Sequence, residues 1–320
     1  MYKLIRFYNK NRKKIIKTIL IIVFIIGIIQ LLDYFAEVKN EQSISSTNVI
    51  ENNIKNENSE ELISDKSLIT GQKISSTKLE RDTEIINEFV EKCNNQDFTG
   101  AYNLLTEECK EVMFPTLQDF YDIYYISTFN NEKRLHTIEN WNGNIYQVRF
   151  SEDLLTTGKL DGNETKQDYI TIVKQDEEIR LNINSYIGRE NSNEVTEQKN
   201  IEVTVTSIDK YMDYEIYNLS IKNNSKNTIL LDTSDDTKSV YLLDKNNMKY
   251  YFYNSEIVES ELIIESEFTN KLQIKFNNPY ISTRKINSLV FSKLVLNYEE
   301  YLNAKDITDF QNFYQLKIKI

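Results

Sequence analysis

Apolar positions along this 320-residue chain follow three regimes: an unbroken run, a helical stripe and a two-residue alternation. The unbroken run occupies residues 15–35, where from Ile19 to Leu32 only Gly27 and Gln30 interrupt it. About 20 helical residues cross the ~30 Å hydrocarbon core of a bilayer, so this run predicts a transmembrane helix. Seven basic residues precede its apolar stretch at Ile19 (Lys3, Arg6, Lys10, Arg12, Lys13, Lys14 and Lys17), with no acid before Asp33. Positive charge stays cytoplasmic, which puts residues 1–14 inside and the rest of the chain outside. Cleavage as a signal peptide would want small residues after the run, and Leu32-Asp33-Tyr34-Phe35-Ala36 supplies no such site. A lipoprotein would need a cysteine there, and the first is Cys93. The expectation is an uncleaved single-pass anchor.

Residues 36–78 carry no aromatic side chain and are dominated by Asn, Glu, Ser, Lys and Thr. Such a stretch buries too little apolar surface to offset its chain entropy and reads as a disordered tether. The helical stripe begins at Ile85, Ile86, Phe89, Val90 and Cys93. Asp97 is placed to cap a second helix with the stripe Phe98, Ala101, Tyr102, Leu105, Cys109 and Val112. Thr116 and Asp119 have the spacing of a capping box before Leu117, Phe120, Tyr121 and Tyr124. Strands are then predicted at 145–150, 169–173 and 179–183, with another at 154–160 ahead of the Asp161-Gly162 turn. Three helices before an antiparallel sheet make an α+β domain over 79–190. From about Val195 the pattern is all-β, with alternations at Ile201/Val203/Val205, Tyr217/Leu219/Ile221, Leu272/Ile274/Phe276, Leu289/Phe291 and Leu316/Ile318. Asp244-Lys245-Asn246-Asn247 marks a hairpin. About seven short strands in 195–320 suit an immunoglobulin-like sandwich lacking the inter-sheet disulfide.

The run Phe89-Val90-Glu91-Lys92-Cys93-Asn94-Asn95-Gln96-Asp97-Phe98-Thr99-Gly100-Ala101-Tyr102-Asn103-Leu104-Leu105 resembles the opening helical pair of the nuclear-transport-factor-two-like superfamily. The resemblance covers about 79–190 and implies a cone, in which a curved sheet wraps a helix around a pocket. That superfamily holds enzymes, ligand binders and interaction modules, so the fold alone does not choose among them. Its enzymes often use a pocket Asp or His as a base, and no motif carries such a residue over to this chain.

Composition narrows the chemistry. With seven of the 38 Lys+Arg ahead of the span, 31 face 49 Asp+Glu in the remainder. That acidic balance argues against nucleic acid and against docking on anionic lipid. One histidine and two cysteines give zinc nothing to build from, and no metal or cofactor is expected. Asp232, Asp235 and Asp236 cluster, but an EF-hand would need Glu where Leu243 stands. The seven glycines form no phosphate-binding loop. Cys93 and Cys109 fall on buried stripes too far apart for a disulfide, so both are expected as free thiols. His136 is the lone candidate base, before or within the first strand, with Trp141 and Tyr124 as further candidates for lining a pocket.

The fold class expected is therefore an α+β cone-like domain plus an all-β immunoglobulin-like sandwich behind an N-terminal transmembrane helix. No catalytic set emerges. The function expected is non-enzymatic: extracytoplasmic binding or scaffolding in a bacterial cell envelope, with a protein or cell-wall partner. Assembly factors of type IV secretion, which join one N-terminal span to cone folds, suggest an accessory of a secretion or conjugation machine. The alternatives are a small-ligand binder using the cone pocket and an isomerase- or dehydratase-like enzyme.

Overall fold

The computed structural model describes residues 65–152, 165–175, 178–233, 238–252, 259–304 and 310–320. The apolar span 15–35, most of the tether, the 154–160 strand with its Asp161-Gly162 turn, and Asp235 and Asp236 lie outside these residues. Among the described residues no helix is long and apolar enough to cross a membrane.

The chain is mainly antiparallel β-sheet with few helices. Helix α1 (Ser76–Asn94) starts earlier than its apolar stripe because Ser75 caps it, accepting from the Lys78 amide. Residues 65–74, read from the sequence as the end of the tether, fold into a turn on the sheet. There the Leu68 and Ile69 amides donate to the Asn140 and Trp141 carbonyls. The expected second helix is two: α2 (Phe98–Asn103), capped by Asp97, and α3 (Glu107–Met113), capped by Thr106. The break exists because the backbone at Leu104 and Thr106 pairs with Leu181. The third helix has the expected Thr116/Asp119 capping box and runs as α4 (Leu117–Asp119), a π-helical stretch (Phe120–Tyr125) and α5 (Ile126–Thr128). Tyr124 and Tyr125 of the π-helical stretch are both buried, whereas Leu117, expected in the buried stripe, is exposed.

Strands β1 (Arg134–Asn142), β2 (Ile145–Glu152), β3 (Lys166–Gln175) and β4 (Glu178–Asn182) form an antiparallel meander. Two further four-stranded sheets follow. One has the order β12 (Thr269–Phe276), β7 (Glu215–Asn223), β6 (Ile201–Tyr211), β5 (Tyr186–Gln198). The other is β10 (Lys249–Tyr251), β9 (Val240–Asp244), β13 (Ile286–Leu294), β14 (Tyr314–Lys319). Short elements join them: β8 (Ile229–Leu230) pairs with β11 (Ile263–Ile264), α6 (Glu259–Leu262) leads into β11, and α7 (Tyr298–Leu302) follows β13.

Two hydrophobic cores result. The helices and the meander enclose one, rich in aromatics; the two later sheets enclose the other, built from the alternating aliphatic positions of the sequence. Residues 190–195, where the sequence reading divides the two domains, lie inside β5, a continuous 13-residue strand. Its second half is polar on both faces because it is an edge strand, and that made it look like a linker. Its side chains also cover the edge of β14, with Gln198 and Thr196 accepting from the Lys317 and Lys319 amides.

Candidate functional site

The three candidate residues do not converge. Tyr124 is buried in the first core, its hydroxyl donating to Asp168 Oδ2 at 2.9 Å. Phe120 stacks on its ring at 5.8 Å, and Phe89 and Phe114 close on it at 5.9 and 6.1 Å. Desolvation, then the Asp168 carboxylate, pushes the Tyr124 hydroxyl well above the usual phenol range. His136 sits half-buried on β1, its Nε2 2.7 Å from Asn87 Oδ1 on α1. Trp141 lies at a register shift where β1 ends, edge-on to Tyr169 at 5.2 Å. Its carbonyl accepts from Ser67 Oγ at 2.8 Å, which ties it to the 65–74 turn.

The first core is tightly packed with rings. Phe89, Phe114, Phe120, Phe129 and Phe150 are each 0 % exposed against the sheet. The end of the third helix meets β2 through Phe129 on Phe150 (5.4 Å), with Tyr125 stacked on Phe129 (5.5 Å). Both cysteines are free thiols in this interior. Burial, then Asp97, raises the Cys93 thiol; burial pushes Cys109 up to about 12. A thiol so far above its ordinary pKa carries little thiolate and is a poor nucleophile.

Asp168 is the group that sequence reasoning missed. Burial raises its carboxyl above the usual range, countered by donors at the Asn184 amide (2.9 Å), Tyr124 hydroxyl and Ser185 amide (2.7 Å). A buried carboxyl with a raised pKa is the profile of a general acid or base. Here its oxygens are occupied in holding a turn. Asn184 and Ser185 both have left-handed backbones (φ 58° and 60°), and the carboxyl satisfies the two amides that this strained pair presents. The turn launches β5, so Asp168 sets where that strand begins. The sole sequence hint was an Asp in an otherwise apolar-alternating strand.

A second buried carboxyl is held the same way. Asp82 on α1 accepts from Lys78 Nζ (2.5 Å), Arg81 Nη2 (2.6 Å) and the Tyr146 hydroxyl (2.8 Å), joining α1 to β2.

A third polar cluster lies where the two cores meet along β5. Glu108 on α3 accepts from the Tyr186 hydroxyl (2.8 Å) and the Arg189 amide (2.7 Å). The Arg189 guanidinium is bidentate on Asp209 of β6, at 2.6 and 3.2 Å, and lies 3.4 Å from Glu111. The Asp209 hydrogen bond raises the arginine further above its ordinary pKa. Gly188 takes a left-handed φ of 148° at a bulge in β5, which lets the strand bend from one core to the other.

Elsewhere, a shallow cleft of about 480 Å³ is lined by Glu300, Asn303, Ala304, Phe310, Gln311 and Asn312. Among the described residues no group of three His, Cys, Asp or Glu is placed to hold a metal ion. Asp232 of the acidic cluster accepts from Ser239 Oγ at 2.7 Å.

No family model and no curated protein match the chain. Among solved structures, a conserved hypothetical protein from Bacillus anthracis aligns at 13% identity over 41% of this chain and 95% of its own. Its TM-score of 0.23 is too low to carry an argument.

Proposed function

We propose that this chain is a non-enzymatic binding or scaffold protein of a bacterial cell envelope, held by the apolar segment 15–35 with its described mass outside the membrane. The observation that carries this reading is the filled first core. The aromatic side chains occupy the space where a cone-shaped enzyme or ligand binder keeps its pocket. The perturbed titratable groups there, Asp168 and Tyr124, are bonded to each other and to a structural turn. The charge step across 15–35 supports the orientation.

The finer fold assignment belongs to this proposal. The order β10-β9-β13-β14 opposite β12-β7-β6 matches strands C′, C, F, G opposite E, B, A of an immunoglobulin sandwich, with β5 added outside A. Helices packed on one face of an antiparallel meander support the cone-like reading of the first part. Both architectures commonly serve as interaction modules, which favours a protein or cell-wall partner over a small substrate. A role as an accessory of a secretion or conjugation machine is one form of this reading.

Two measurements on intact cells test the proposal. Added protease is expected to remove an epitope fused after Ile320; an epitope protected until the membrane is opened reverses the topology. His136→Ala is expected to restore full growth or transfer phenotype to a deletion strain, with an unchanged thermal midpoint. Loss of phenotype at an unchanged midpoint would give His136 a catalytic role and replace the scaffold reading with an enzyme.

A further inference from the structure

The outward faces of the two later sheets differ in charge. On β12-β7-β6-β5 the outward positions mix signs: Lys222 faces Glu202 across the strands, and Lys271 and Lys275 share the face with Asp209. On β10-β9-β13-β14 the inward positions are fixed by Leu242, Leu289, Phe291, Leu316 and Ile318, which lie in the second core. The outward positions then carry Lys249, Lys317 and Lys319 and no carboxylate; the rest are Tyr, Leu, Ser, Val or Gln. Two more exposed lysines, Lys245 and Lys285, adjoin at the end of this sheet, the Lys245 amide donating to the Lys285 carbonyl at 3.2 Å. All five are exposed, and none forms an ion pair among the described residues. Lys249 lies over the Tyr241 ring at 4.1 Å, which seats its stem on the sheet and leaves the face flat.

A lysine-only strip on a chain with formal charge −11 is the reverse of what solubility alone would select. We infer that this face docks an extended phosphodiester polyanion of the envelope, such as an anionic wall polymer, and so names the partner class for the reading above, on which it rests. Lysines without arginine supply compact point charges, suited to successive phosphates and lacking the fork that selects a planar carboxylate. Lys317 and Lys319 stand about 7 Å apart along β14, and Lys319 to Lys249 spans three strand spacings, roughly 14 Å. That strip is wide enough for several phosphates of one chain. A planar anionic bilayer is disfavoured, because the chain carries a formal charge of −11 and a bilayer would meet more of it than the strip. A thin polymer touches the lysines alone.

The test uses full-length protein in detergent and fluorescently labelled long-chain inorganic polyphosphate as the probe. Binding is expected to weaken with salt along a log–log slope of about −0.7 per phosphate contacted, as for a single-stranded polyanion. Combined Lys249→Gln, Lys317→Gln and Lys319→Gln is expected to weaken binding by about tenfold or more and flatten that slope. The equal charge change Lys222→Gln, Lys271→Gln and Lys275→Gln on the opposite sheet is expected to leave both within about twofold. Equal losses in the two triple variants, or no loss in the first, overturn the inference. So does lysine-dependent capture on phosphatidylglycerol vesicles in place of polyphosphate, or self-association lost with the same three lysines. The assay reads binding in detergent and not topology, so its failure leaves the anchored-scaffold reading to its own protease test.

Discussion

The two cores bury charge differently. The first is packed with rings and encloses whole polar side chains: Asp82 is 0 % exposed, Asn140 1 %, Arg134 4 % and Asp168 5 %. The second is aliphatic through its middle, with Ile201, Val203, Leu219, Leu289 and Leu316 in one cluster, and many of its buried polar groups, Glu215, Asn223, Asp232 and Asp244 among them, lie at strand ends and turns. Two sheets facing each other satisfy their own backbones along the strands, so side chains there mainly fill space, and a polar one such as Asn223 serves the turns, donating to the Asn227 and Ile264 carbonyls. Helices crossing a small sheet leave turns and chain entries that neither ladder satisfies, and buried side chains must do it. Asp168 on the Asn184–Ser185 turn and Asp82 between α1 and β2 fill that role. Buried polarity in the first core thus follows from its architecture.

Removing a polar fastener or a core aliphatic side chain is expected to have the largest effects. Asp168→Ala strands a buried tyrosine hydroxyl and two part-buried amides and is expected to cost about 2–4 kcal/mol in urea unfolding. Leu289→Ala in the aliphatic core is expected to cost about 2–4 kcal/mol, as an ordinary cavity. A cost for Asp168→Ala below 1 kcal/mol would mean that the carboxyl is not structural and would reopen a catalytic role for it.

Titration sharpens the same contrast. Asp168 has its carboxyl raised above the ordinary ~3.9. Between that value and the raised one, the folded chain holds a proton that the unfolded chain releases. The contribution of this group to stability is therefore full below the unfolded value and declines as pH rises through the raised one. The stability of the native chain relative to Asp168→Asn is expected to fall as pH rises through that window. A flat difference would place the carboxyl's pKa at its unfolded value.

The smallest expected effect concerns the thiols. Cys93 and Cys109, both buried and pushed upward by desolvation, are expected to resist an aromatic disulfide reagent at pH 8 in native protein. Two thiols are expected after unfolding without reductant. Rapid native labelling of either would show that the first core opens readily.

Much of this organisation was legible in the sequence. The sandwich strands were, because period-2 alternation at Val203, Leu219, Ile274 or Ile318 reports a single buried face. Caps at Asp97 and Thr116 were, because their spacing is local. The break at 104–106 was not, because it exists to pair with Leu181, some 75 residues on. Nor was the polar edge strand β5, whose exposed faces give no periodic signal. The candidate site was read from residue types alone, and His136, Trp141 and Tyr124 turned out to have separate surroundings. Asp168 and the Glu108–Arg189–Asp209 cluster depend on long-range contacts that spacing cannot show.

The central claim is that the cores are joined by a strand and fastened by buried polar groups, giving a rigid scaffold with no flexible linker. Amide hydrogen exchange across 186–198 tests it most directly. Amides of this segment that pair with β6 are expected to exchange at least about 1,000-fold below the unfolded rate, since β5 is paired with β6 from Tyr186 to Gln198. Exchange of 187–198 at the unfolded rate, while β2 and β6 stay protected, would contradict the account and restore a flexible linker between two independent domains.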